Sequence, residues 1–159
     1  AWAHRFVGNF ARKPEGNDRA QIMAVANGEA DIAIANSYYI GLMLSGKKGD
    51  EQRAAARKVN LHFPSQAGRG AHINVSGVGL MKNSPNKTNA VKFIEFLLSD
   101  KAQEHIVNNT YEYPLSANIA PSDLIAQFGT GFKEDQTSVA DYGKFNPEAV
   151  KLMDRVGWQ

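Results

Sequence analysis

Cysteine is absent from the 159 residues, which removes disulfides, thiolate zinc sites and cysteine nucleophiles at once. Its absence does not fix the compartment, because an oxidising environment permits disulfides without demanding them. No apolar run approaches the ~20 residues that a membrane-spanning helix needs. An excess of one charge is missing too: 18 Lys plus Arg stand against 16 Asp plus Glu, a net +2 too small and scattered to argue for nucleic acid. The four histidines, His4, His62, His72 and His105, show neither i,i+3 nor i,i+4 spacing, so no all-His metal centre is signalled. There is no Gly-x-Ser-x-Gly elbow. Gly68-Arg69-Gly70 lacks the Lys-Ser/Thr of a phosphate loop, and Gly77-Val78-Gly79 lacks the third glycine of a dinucleotide loop. The carboxylates are dispersed and form no acid–base pair by spacing. These absences argue against an enzyme.

With 43% hydrophobic and 21% charged residues, the composition is that of a globular chain of one domain or two small lobes. The start, Ala1-Trp2-Ala3-His4-Arg5-Phe6, has no basic stretch followed by an apolar one and no initiator Met. The expectation is a processed chain, or one that begins partway through something longer.

Periodicity predicts alternating helices and strands. Asn17 or Asp18 caps a helix carrying Ile22, Met23, Val25 and Ala26, which stops at Asn27-Gly28. Asp31-Ile32-Ala33-Ile34-Ala35 then reads as a short strand buried on both faces. Asn36-Ser37 leads into a helix from Tyr38 to about Ser45-Gly46, and residues 47–58 read as an exposed helix of charges and alanines. Residues 59–63 alternate in strand fashion up to Pro64, and residues 72–81 read as a strand or long crossing segment. The clearest helix follows, with Val91, Phe93, Ile94, Phe96, Leu97 and Leu98 on a broad apolar face; Ser99-Asp100 starts another. The last helix is expected to begin at Asn146-Pro147-Glu148, with proline in its first turn. The pattern favours an α/β fold.

One local feature points to chemistry. Asn36-Ser37-Tyr38-Tyr39 lies where an apolar strand gives way to a helix, the place where open α/β sheets bind ligands. Adjacent tyrosines normally diverge, yet at an irregular elbow both hydroxyls can converge on one point. A phenolate is a hard anionic oxygen donor suited to Fe(III), and a bound cation supplies the positive charge needed to remove a proton that free tyrosine holds to about pH 10. Taken alone, such a pair at a helix start is more often packing plus a hydroxyl hydrogen bond.

The segment from Asn27-Gly28-Glu29-Ala30-Asp31-Ile32-Ala33 into Asn36-Ser37-Tyr38-Tyr39 resembles the periplasmic ferric-iron-binding proteins of ABC importers. The resemblance continues through residues 70–77, 90–99 and 102–103, Tyr111-Glu112-Tyr113-Pro114, residues 150–153 and Gly157-Trp158. It implies an α/β periplasmic-binding-protein-like fold of the transferrin-like, type II kind, made of parts of two lobes joined by hinge-crossing strands. Residues 1–70 would belong to the C-lobe, residues 71–119 to the N-lobe, and residues 120–159 would return to the C-lobe. By the same resemblance Tyr38 and Tyr39 are metal ligands, Fe(III) is the cargo, and a synergistic anion such as phosphate or carbonate is held by Asn36 and, by a looser match, Asn17. The implied partners are an inner-membrane ABC permease and an N-terminal part of the same protein that supplies the remaining ligands. The implied location is the periplasm, or a membrane tether in a Gram-positive cell. Two alternatives stay open: the same fold serving an organic anion, polyamine or sugar phosphate, and a fragment without ligand competence.

Overall fold

The computed structural model describes residues 2–158. Among the described residues eight helices follow one another: α1 (Trp2–Val7), α2 (Asp18–Ala26), α3 (Ser37–Leu44), α4 (Asp50–Ala56), α5 (Lys87–Leu97), α6 (Asp100–Thr110), α7 (Asp123–Ala126) and α8 (Val139–Val156). Their starts follow the local chemistry. Asn17 caps α2 by accepting from the Ala20 amide, Ser99 caps α6 through the Ala102 amide, and Ser138 caps α8 through the Ala140 amide. None of these helices is long and apolar enough to cross a membrane.

The main core lies where α2, α3, α4 and α7 meet. Ile22, Ile40, Met43, Ala55, Ala56, Tyr111 and Ile125 close around one another, with Met43 and Ile125 fully buried. The alanines of α4 are therefore half of a packed face. The expectation of an exposed helix holds only for its charged side, because small residues at i and i+1 let α4 lie against α2 and α3. Gly41 serves the same purpose on α3: a Cβ there would come within 2.6 Å of Tyr111 Cβ and 2.9 Å of Ile125 Cδ1. Tyr111 itself terminates α6 in the left-handed region at φ 64°, a conformation that costs an L-residue about 1–2 kcal/mol and persists because the ring is locked into the core. Separately, α1 packs on α8, and Phe6, Phe10 and Trp158 cluster with ring centroids 5.2–5.5 Å apart.

The strands expected at 31–35, 59–63 and 72–81 are extended chain without ladders. Among the described residues the one β pairing is a parallel bridge between Ala71 and Glu134. Ile32 and Ile34 are 85% and 73% exposed, so the 31–35 segment is not buried on both faces. The apolar pattern is real, but a strand needs a neighbour for its N–H and C=O groups, and the described residues provide none there. The same holds for α5, whose apolar face has no buried residue; Phe93, Phe96 and Leu98 are all at least half exposed.

Proline 147 is not in a first turn either. Helix α8 begins eight residues earlier than Pro147 and runs through it. The proline costs the amide bond to the Gly143 carbonyl, which is tolerable where α8 is exposed and water can serve that oxygen.

Two extended stretches are nonetheless tied down. Gly70, at φ 101°, runs so close to Glu134 that a Cβ would meet its carbonyl carbon at 2.5 Å. The Ala71 amide donates to the Lys133 carbonyl and the Asp135 amide to the Ala71 carbonyl, each at 2.8 Å. Gln66 adds a two-way amide bond to the Lys133 backbone, and Arg69 reaches both Asp135 and Thr137. This clamp fixes where the chain leaves the helical core and enters the 72–81 crossing segment.

Candidate functional site

The tyrosine pair opens α3. Asn36 precedes it in extended conformation (φ −74°, ψ 137°), and the turn into the helix brings the Tyr38 and Tyr39 rings to 4.5 Å between centroids, tilted by 40°. Both rings are half-buried, against the main core. Both tyrosines lie within the first turn of α3, where adjacent side chains ordinarily splay by about 100°, yet here the two rings lie side by side.

The surroundings are acidic. The Tyr38 phenol is pushed up to about 12, first by burial, then by the hydrogen bond and charge of Tyr39, then by Asp18 and Glu112. At neutral pH this phenol is therefore protonated unless a cation displaces its proton. Phenol oxygens are hard donors, the chemistry preferred by a hard cation, and the negative charges of Asp18 and Glu112 are felt at Tyr38. Among the described residues no group of three or more His, Cys, Asp or Glu side chains gathers at a metal-sized gap. A cation here would have to rely on the phenols.

Asn36 joins this neighbourhood in an unexpected way. An asparagine at a helix N-cap usually bonds its own first turn. Here Asn36 makes no side-chain cap; its backbone amide and its Nδ2 both donate to Asp18 Oδ1, at 2.8 and 3.1 Å, and its Oδ1 accepts from Asn74 Nδ2 at 2.9 Å. Asn17, by contrast, is exposed and occupied with the Ala20 amide at 3.2 Å. It lines a shallow groove with Arg12, Arg19 and Glu29, and the structure does not bring it to Asn36. The residue after it does that work. Glu112 accepts from Ser76 Oγ at 2.5 Å and from Thr110 Oγ1 at 3.2 Å, so a second acid near Tyr38 also touches the crossing segment.

Asp18 and Glu112 are the residues that sequence reasoning missed. The available signals were an acidic residue at the first position of a helix and a Tyr-Glu-Tyr run at a helix end, neither of which specifies a direction. The other tyrosines have different tasks. Tyr113 donates to the Gly129 carbonyl at 2.8 Å, and burial pushes its phenol up to about 12. At Tyr111 burial raises the phenol, but hydrogen bonds from Ser45 and Lys47 and the Lys47 charge outweigh it, leaving it below its ordinary value. Tyr142 donates to the Ile73 carbonyl at 3.2 Å.

Residues 6–104, more than half of the chain, match the description of the bacterial extracellular solute-binding proteins. The chain belongs to that family. Among curated relatives, iron uptake protein A1 of Synechocystis is 50% identical over 159 residues, covering 100% of this chain and 44% of that protein. A Trichodesmium protein solved in complex with iron and citrate ligands superposes with a TM-score of 0.94 at 51% identity, covering 99% of this chain and 49% of that one. A ferric binding protein from Campylobacter jejuni gives 0.92 at 39% identity, covering 99% and 49%. This solute-binding chain thus spans about half the length of the relatives it matches, and it follows their α/β periplasmic-binding-protein fold along nearly its whole course.

Proposed function

We propose that this chain is the tyrosine-bearing part of the solute-binding component of an ABC importer, which captures ferric iron without catalysing any covalent change. The observation that carries the reading is the converged Tyr38–Tyr39 pair at the start of α3, in a chain whose solved relatives include one holding iron and citrate. Capture consists of displacing water from Fe(III), removing the phenol protons and letting the two phenolates offset the cation's charge. Residues 1–70 form a portion of the C-lobe, 71–119 a portion of the N-lobe, and 120–159 return to the C-lobe, so the pair faces an interlobe cleft.

The remaining ligands come from an N-terminal part of the same protein. That part also supplies the strands missing beside Ile32 and Ile34 and the cover for Phe93 and Phe96 of α5, which accounts for their exposure. The protein works in the periplasm or on a membrane tether and delivers to an inner-membrane permease. A synergistic anion such as phosphate or carbonate can take the second Nδ2 hydrogen of Asn36, the first being spent on Asp18 Oδ1 and the amide oxygen on Asn74. Asp18 and Glu112 weigh against an anion as the sole cargo.

The test is to add a soluble ferric chelate to the full-length protein and record the visible phenolate-to-iron charge-transfer band. The band should appear, weaken as pH falls, and vanish in Tyr38→Phe plus Tyr39→Phe. A band that survives the double substitution refutes the site.

A further inference from the structure

Asp18, Asn36 and Asn74 come from three separate parts of the chain: the first turn of α2, the residue before α3, and the crossing segment. One Asp18 oxygen takes both the backbone and the side-chain N–H of Asn36, and the Asn36 carbonyl oxygen takes the Asn74 amide. Each donor in this chain is spent on a partner more distant in sequence, 18 residues away in one link and 38 in the next. Asn36 forgoes capping its own helix to make these bonds. Local energetics do not reward that choice, since an N-cap bond is available one step away.

We propose that Asp18 is a positioning residue for iron capture: through its paired bonds to Asn36 it sets the start of α3, and hence the aim of Tyr38 and Tyr39, while Asn74 ties that start to the crossing segment. The inference rests on the iron reading for its consequence, but not for its geometry. A carboxylate accepting two N–H bonds from one residue fixes both that residue's backbone and its side chain, so the turn preceding the tyrosines has little freedom. Because the crossing segment is held by the same asparagine, any shift of residues 72–76 is transmitted to the tyrosine turn. Ser76 separately ties the same segment to Glu112. Movement of the crossing segment and alignment of the pair are therefore one event, carried by the Asn74–Asn36–Asp18 link.

The test uses the full-length protein and three variants. Asp18→Asn keeps an acceptor oxygen in place and should hold ferric affinity within about threefold of the wild type. Asp18→Ala removes it and should weaken affinity about 10- to 100-fold, the range typical when an outer partner of a metal ligand is lost. Asn74→Ala, on exposed extended chain outside every helix, should weaken capture by a smaller factor, and the double variant should lose less than the product of the two. Amide exchange in the iron-free protein is the independent readout: Asp18→Ala should speed exchange at Asn36 and the first turn of α3 and leave α5 and α6 unchanged. Unchanged exchange at Asn36 overturns the positioning role whatever iron does. Faster exchange with unaltered affinity, in a protein whose band still depends on both tyrosines, overturns its consequence for capture. A wild type that shows no iron band at all refutes the iron reading and leaves the exchange result to decide the geometry.

Discussion

Replacing Gly41 by alanine should destabilise the chain and misplace the tyrosine pair together. The added Cβ would lie 2.6 Å from Tyr111 Cβ, 2.9 Å from Ile125 Cδ1 and 3.0 Å from Tyr111 Cγ. Carbon atoms rest at ~3.5–4.0 Å, so α3 and the Tyr111 backbone must separate by roughly 1 Å. The Ile125 methyl can swing aside, but Tyr111 Cβ cannot move without its backbone, which is held in the left-handed region at the end of α6. Overpacking of this kind costs ~1–3 kcal/mol, and the rigid contact argues for the upper end. Alanine returns about 1 kcal/mol of helix propensity. The net is a loss of about 2 kcal/mol, which lowers the melting temperature of a chain this size by about 4–8 °C. Because Glu112 follows Tyr111 and faces Tyr38, ferric affinity should fall in the same variant. Scanning calorimetry and urea unfolding measure the first effect, and the charge-transfer titration measures the second. An unchanged or raised melting temperature would refute the packing argument.

Gly143→Ala is the matching control: it lies within α8 with nothing within 4 Å of the added Cβ, so stability should rise by about 0.5–1 kcal/mol, read as a higher urea midpoint. The clamp between residues 66–71 and 133–137 should loosen in acid. Hydrogen bonds from Thr137, then Arg69, hold the Asp135 carboxyl down at about 2, below its ordinary 3.8, so its contribution is present above about pH 4 and is lost as pH falls through 2. Amide exchange at Ala71 and Asp135 should accelerate across that window, and no change there would contradict the sign. Phe93→Ser plus Phe96→Ser on α5 should lower binding of a hydrophobic dye by the 159-residue chain, since both rings are exposed; unchanged dye binding would place the exposed apolar surface elsewhere.

Helices were legible because their signals are local. Caps at Asn17 and Ser99 and the apolar spacing of α5 and α6 operate within a turn or two of chain, whereas the cap at Ser138, far from any apolar run, went unread. Strand signals are equally local, but a ladder is not. Residues 31–35 and 72–81 carry the right side chains and lack neighbours, so the pattern survives as extended, exposed backbone. Pro147 misled because its fixed φ suits a helix interior as well as a first turn when one carbonyl can be left to water. At the candidate site, the nearness of the Tyr38 and Tyr39 rings follows the expectation from the turn into α3, whereas Asn36 entered through the family resemblance. Asp18 was not legible, because nothing local decides which of two adjacent side chains, Asn17 or Asp18, turns inward. The fold decides it: Asn17 caps its own helix and Asp18 faces α3. Glu112 depended on the left-handed bend at Tyr111, a feature set by core packing.

The most direct measurement is anomalous diffraction at the iron edge from crystals of the full-length protein loaded with Fe(III). The account expects a single strong peak at coordination distance from the hydroxyl oxygens of both Tyr38 and Tyr39. A peak bonded to neither, or to other side chains with the two rings still side by side, would contradict it.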